Sequence, residues 1–268
     1  MRKISLTDGR FTVEILPDCG GAIAALRWRA PTGRTFDLLR PAMPDDIARR
    51  DFAHMACLPL TPSRPAGNVE LDDPPPALAE WTVQDASNIR ATLTLQEDAA
   101  SGKFPNAGRP ASYQLLQRFE LIPGGLAIVY TITNLGVTPM PARAALRLRI
   151  DGRTENILRG PLLQVVAEGA APSVSELAAG LPLAGRDLRI RLRSSHEISI
   201  TKPEERLLLT LNLERGLDFL DLECDARRRE IFLSPLSHHD TDKAPGCLLQ
   251  QGDSLSAALR IAGQALTP

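Results

Sequence analysis

The chain has 268 residues, 43% hydrophobic and 24% charged, which is enough apolar material for a sizeable core and too much for a disordered chain. Lys+Arg number 31 against 32 Asp+Glu, so the formal net charge of −1 gives no footprint for nucleic acid or for an anionic membrane surface. All-β chains run past ~200 residues as one unit, so a single domain over residues 1–268 is expected.

In chain order, period-two alternation predicts strands at 11–16 and 22–29, followed by a helix of two or three turns at 45–54. Residues 71–76, with Asp72-Asp73-Pro74-Pro75-Pro76, read as a surface loop because proline has no amide hydrogen to give a ladder. The clearest strand is 88–96, where Ile89, Ala91, Leu93 and Leu95 alternate with Arg90, Thr92, Thr94 and Gln96. Strands 113–121 and 126–133 form a hairpin around Ile122-Pro123-Gly124-Gly125, which supplies a fixed φ and then glycines free to take positive φ. Asn134-Leu135-Gly136 turns the chain again. Further strands are expected at 143–150, 186–193, 197–201, 207–213, 230–233 and 254–261, and a capping box at Ser173 and Glu176 opens a short helix. Many short strands with few helices indicate an antiparallel sandwich or barrel.

The opening Met1-Arg2-Lys3 is not followed by the apolar stretch of a secretory signal, and no run reaches the ~18 apolar residues of a membrane span. Cys19, Cys57, Cys224 and Cys247 are scattered with no C-x-x-C pair, which argues for reduced thiols in a cytoplasm. Lysine is confined to Lys3, Lys103, Lys202 and Lys243, so arginine clusters are weighed against an overall arginine bias.

Two clusters carry potential chemistry. Ser234-Pro235-Leu236-Ser237-His238-His239-Asp240-Thr241-Asp242 is dense in polar groups, but adjacent histidines on an extended chain point to opposite faces. A polar loop with one buried histidine is therefore preferred over a metal site, and no metal or cofactor is expected. The second cluster is arginine. Arg143, Arg147 and Arg149 share one parity opposite Leu146, Leu148 and Ile150, and Arg189, Arg191 and Arg193 repeat the pattern opposite Leu188, Ile190 and Leu192. In one sheet these form either a solvated outer face or a cationic face that grips carboxylate or phosphate through paired guanidinium contacts; the solvated face is the plainer reading. G-x-S-x-G, P-loop, G-x-G-x-x-G and H-E-x-x-H patterns are absent, so hydrolase, NTPase, dehydrogenase and metalloprotease readings lack their parts. A two-carboxylate glycosidase site leaves no linear motif and stays open, while aromatics at 4% argue against a long polysaccharide groove.

Taken in order, several segments resemble the aldose 1-epimerase (galactose mutarotase) family. They are Phe11-Thr12-Val13-Glu14-Ile15-Leu16-Pro17 with Gly20-Gly21-Ala22-Ile23; Asp37-Leu38-Leu39-Arg40-Pro41; Ala56-Cys57-Leu58-Pro59-Leu60-Thr61-Pro62 with Ser63-Arg64; Thr133-Asn134-Leu135-Gly136 with Pro139-Met140-Pro141; Ser234-Pro235-Leu236-Ser237-His238; and Gln251-Gly252-Asp253-Ser254. The resemblance implies an all-β fold, a large antiparallel β-sandwich of the galactose mutarotase-like (supersandwich) type, and a small-molecule sugar as partner. It implies isomerase chemistry in which a carboxylate takes the proton of the anomeric hydroxyl and a histidine protonates the ring oxygen.

By that resemblance Ser234 stands at the carboxylate position and Arg147 at the histidine position. The family's second histidine falls within 74–79 and its sugar-binding aspartate between Gly169 and Arg193, both without a counterpart. Loss of each proton-transfer group typically forfeits about 10² to 10⁴ in rate, so turnover by the inherited mechanism is not expected. Glu223, Glu230 or Asp240 as base and His238 or His54 as acid are the open routes to a rescue. The substrate-binding set is Arg64, Arg147, Arg149, Ser234 and His238, and the arginines suit a sugar acid or sugar phosphate. The alternative is a non-catalytic sugar-binding or regulatory module. Oligomeric state is left open.

Overall fold

A strand that alternates apolar and polar residues hides one face, and two such sheets hide their apolar faces against each other. The computed structural model describes residues 1–49, 52, 54–57, 79–98, 112–142, 144–152, 155–159, 164–166, 173–183, 185, 188–193, 197–227, 229–237 and 247–266. Within them a ten-stranded sheet runs β1 (Ile4–Thr7), β2 (Phe11–Leu16), β3 (Ala22–Arg29), β5 (His54–Cys57), β11 (Ala145–Asp151), β19 (Glu230–Leu236), β18 (Phe219–Asp225), β15 (Leu188–Arg193), β13 (Gln164–Val166), with β4 (Thr35–Asp37) paired to β3. A nine-stranded sheet runs β14 (Leu181–Pro182), β12 (Ile157–Arg159), β16 (Glu197–Lys202), β17 (Leu207–Leu213), β21 (Ser254–Ala265), β9 (Gly125–Asn134), β8 (Tyr113–Ile122), β7 (Arg90–Glu97), β6 (Thr82–Ala86). β10 (Met140–Ala142) and β20 (Cys247–Leu249) form a separate pair. The pairings are antiparallel.

The main core lies between the two sheets. Val13, Leu26, Leu148, Leu222 and Leu233 of the first meet Leu93, Leu115, Ile128, Leu209 and Leu259 of the second in one buried cluster. Each fully buried aliphatic side chain of this kind is worth about 1.5–3 kcal/mol. No helix among the described residues is long and apolar enough to cross a membrane.

Local chemistry fixes the corners. Gly124 takes φ +86° at the tip of the β8–β9 hairpin, as its turn requires. Gly125 serves another purpose, because a Cβ there would lie 2.3 Å from the Ile261 carbonyl oxygen of β21. Asn134 nails the following turn. Its Nδ2 donates to the Thr138 and Leu249 carbonyls, each at 2.9 Å, and its Oδ1 accepts from the Gly136 amide at 2.9 Å. The capping box forms before the helix Val174–Ala179, where the Ser173 hydroxyl accepts from the Glu176 amide and the Glu176 carboxylate accepts from the Ser173 amide.

Two expectations need correction. The helix expected to reach residue 54 spans only Pro44–Arg49, and His54 instead opens β5, pairing with Ile23 on one side and Leu148 on the other. Ladder hydrogen bonds on both sides outcompete the extra turn of a helix too short to be stable alone. The strand expected to stop at residue 233 continues to Leu236 through Pro235. That proline is tolerated because the β11–β19 ladder pairs Ala145 with Leu236 and resumes only at Leu148 with Leu233, leaving a gap where Pro235 has no hydrogen to donate. The loop expected at 71–76 lies outside the described residues.

Candidate functional site

The outward face at the centre of the ten-stranded sheet gathers the polar residues that the strand parity predicts. Leu146, Leu148 and Ile150 of β11 are buried in the core, which turns Arg147 and Arg149 outward. Register then fixes their neighbours. Arg149 lies across from Phe232 of β19, Phe232 across from Glu223 of β18, and Glu223 across from Arg189 of β15. In the next rank Ser234 lies across from Asp221, and Asp221 across from Arg191. The spacing of the β11–β19 register puts Arg147 on the other side of Ser234. The two arginine strands thus do share a sheet, but β19 and β18 separate them and bring Glu223 and Asp221 between them. Arg143 and the side chains of Arg189, Arg191 and Arg193 lie outside the described residues.

Arg149 is the more deeply committed of the two outward arginines. It is 3% exposed, and its guanidinium donates to the Glu230 carboxylate and, at 3.3 Å, to Oδ1 of Asp46. Arg40 donates to the same Glu230 oxygen and lies 3.9 Å from Asp46 Oδ2, while its amide donates to the Arg149 carbonyl at 2.8 Å. Asp46 Oδ2 also accepts from the Met43 amide at 3.0 Å, which ties the start of the helix Pro44–Arg49 to the cluster. Burial pushes the Asp46 carboxyl upward, but the Met43 amide and the Arg149 and Arg40 guanidinium groups more than offset it, and the net shift is downward. Two cations and two anions close on one another here. Arg149 therefore has no spare charge for a ligand, and the Glu230 carboxylate is held between two guanidinium groups. Its Oε2 is buried without a hydrogen-bond partner among the described residues.

Arg147 differs. It is half-buried, its guanidinium lies 4.0 Å above the centre of the Phe232 ring, and it makes no ion pair with any described residue. Phe232 beneath it is 4% exposed, and the contact with the ring holds the cation in the rank of Ser234. Ser234 is half-buried, and it sits at the gap in the β11–β19 ladder. Ser237, three residues on, has a structural task, because its hydroxyl accepts from the Ala144 amide at 3.0 Å.

Of the residues expected at a site, Arg147 and Ser234 come together and Arg149 adjoins them in its closed cluster. Arg64, His238 and Asp240 lie outside the described residues. His54 is described by its backbone alone, and Glu223 is exposed on the outer face. Sequence reasoning missed Arg40, Asp46, Phe232 and Asp221. For Asp221 a signal existed, since Leu220, Leu222 and Cys224 alternate with Asp221, Glu223 and Asp225 along β18.

No protein-family profile and no curated protein sequence matches the chain. Solved structures do. A galactose mutarotase-like protein from Lactobacillus casei is 17% identical over 98% of this chain and 100% of its own, with a TM-score of 0.76. One from Clostridium acetobutylicum is 12% identical over 98% of this chain and 95% of its own, with a TM-score of 0.80. An aldose epimerase homologue from C. elegans is 15% identical over 99% of each chain, with a TM-score of 0.73. The chain has the galactose mutarotase-like fold. On this galactose mutarotase-like scaffold the central outer face carries a hydroxyl at Ser234 and a permanently protonated guanidinium at Arg147. The first cannot take a proton without an activator, and the second does not release one at working pH.

Proposed function

We propose that this protein is a cytoplasmic, aldose 1-epimerase-like carbohydrate-binding protein that holds a sugar bearing an acidic group against the outer face of β11 and β19. The observation that carries the reading is Arg147, held over Phe232 beside Ser234 without a carboxylate partner among the described residues. A guanidinium so placed accepts a carboxylate or phosphate in paired hydrogen bonds, and the neighbouring hydroxyl serves a sugar hydroxyl. The expectation of an acidic ligand first drew on both Arg147 and Arg149; the closed charge cluster leaves it resting on Arg147. Anomer exchange by the two-group mechanism is not part of the proposal, because neither Ser234 nor Arg147 transfers a proton readily.

Calorimetry against glucose, galactose, their 6-phosphates and the matching uronic acids tests the reading. Tighter binding of the acidic members supports it and separates carboxylate from phosphate, while equal or better binding of the neutral sugars contradicts it. Polarimetry on freshly dissolved α-glucose and α-galactose is expected to follow the spontaneous rate.

A further inference from the structure

We infer that the ligand carries an amino group as well as an acidic one, and that Glu223 receives its positive charge. The inference rests on the acidic-sugar reading above and narrows it to amino sugars with an acidic substituent.

β18 buries Leu220, Leu222 and Cys224, and so turns Asp221, Glu223 and Asp225 to the outer face. Asp221 and Asp225 already have partners, and Glu230 of β19 is held by Arg40 and Arg149. Glu223 is exposed and has no hydrogen-bond or ion-pair partner among the described residues. It lies directly across from Phe232, whose ring carries the Arg147 guanidinium 4.0 Å above its centre. Two strand spacings and two residues along the strand put the Arg147 and Glu223 backbones roughly 12 Å apart. The lean of Arg147 over β19 brings its charge to within roughly 5 Å, one strand spacing, of β18. A cation and an anion thus flank one aromatic residue on the same face, with no ion pair between them.

An exposed glutamate by itself is a solvated side chain; its place beside a cation without a carboxylate partner is what gives it a use. A molecule with charges of both signs joins the two groups where neither reaches the other. The guanidinium takes the acidic substituent in paired hydrogen bonds, and a protonated amine offers three donors to the carboxylate. On an acidic amino sugar these groups leave one pyranose ring at different carbons, as a cation and an anion on either flank of Phe232 require. A hydroxyl in place of the amine keeps a hydrogen bond to Glu223 but loses the attraction of opposite charges, so an acidic sugar without nitrogen still binds, less tightly. No proton transfer is assigned to Glu223; it is a binding residue.

Calorimetry at about pH 6.5, where an amine of this kind is protonated, compares glucosamine 6-phosphate with glucose 6-phosphate, and 2-amino-2-deoxygalacturonate with galacturonate. The preference is read in whichever acid series the wild-type protein binds more tightly. The amino member is expected to bind about fivefold more tightly than its hydroxyl counterpart, and its N-acetyl derivative, which keeps the nitrogen but loses the charge, shows no such gain. Glu223→Gln keeps the shape of the side chain; it is expected to bring the two members within about twofold of each other, to leave the affinity of the hydroxyl member and the urea midpoint unchanged, and so to remove the charge preference alone. Glu14→Gln, on β2 toward the edge of the same sheet, retains the preference. Equal affinity for the two members in wild type, or a preference that survives Glu223→Gln, overturns this inference and leaves the acidic-sugar reading standing. Absence of binding of all four ligands to the wild-type protein overturns that reading and this inference with it.

Discussion

Arg147 and Arg149 lie two residues apart on one strand, point out of the same sheet face and have opposite fates. Arg149 is buried and closed off by Glu230 and Asp46, which come from 81 and 103 residues away in the sequence. Arg147 is half-buried and touches an aromatic ring, with no carboxylate partner among the described residues. Strand parity assigns a residue to a face, but its availability is decided by what the rest of the chain lays over it. The closed cluster fastens the segment around Arg40 and the helix Pro44–Arg49 to the sheet. The open rank is where the proposed ligand would meet a cation that makes no ion pair with any described residue.

Stability breaks the symmetry most sharply. Glu230→Gln leaves two guanidinium groups facing a single carboxylate in a buried setting, and a loss of about 3–5 kcal/mol in urea unfolding is expected, the usual cost of orphaning a buried charge. A change under ~1 kcal/mol would show that the cluster is looser than its geometry implies. In binding, the effect moves to the other rank: Arg147→Ala is expected to weaken the acidic sugar about tenfold, and an unchanged affinity in calorimetry would place the ligand elsewhere.

Acid provides a third contrast. The Asp46 carboxyl titrates below its ordinary 3.8 in the folded protein, so its contribution is complete above that value and is lost as pH falls through the lowered folded one. Urea midpoints followed from pH 7 down to pH 3 should therefore fall less steeply at the acid end for Asp46→Asn than for wild type. Equal slopes would remove Asp46 from the account. Smallest of all, Arg147→Ala should cost only about 1 kcal/mol of folding stability, the worth of a half-buried cation over a ring.

Much of the fold was legible because its signals are local. The β8–β9 hairpin is written in Pro123-Gly124, the long strands in their alternation, and the capping box in Ser173 and Glu176. Short strands such as β4, β5 and β20 carry too few residues for a period to show, and β19 hides behind a proline whose cost is cancelled by a gap in the neighbouring ladder. The candidate site was legible only in part. Arg147, Arg149 and Ser234 announce themselves by parity and by the family resemblance. The pairing of Arg149 with Glu230, and of Ser234 with Asp221, is a matter of which strands become neighbours and in what register, which single-strand patterns do not encode.

A crystal structure of the protein with galacturonate bears most directly on the claim that the open rank is the binding site. The sugar carboxylate is expected within about 3 Å of the Arg147 guanidinium, with the ring above Ser234 and the Arg149–Glu230 pair intact. A sugar bound on another surface, or a carboxylate seated on Arg149 with Glu230 displaced, would contradict it.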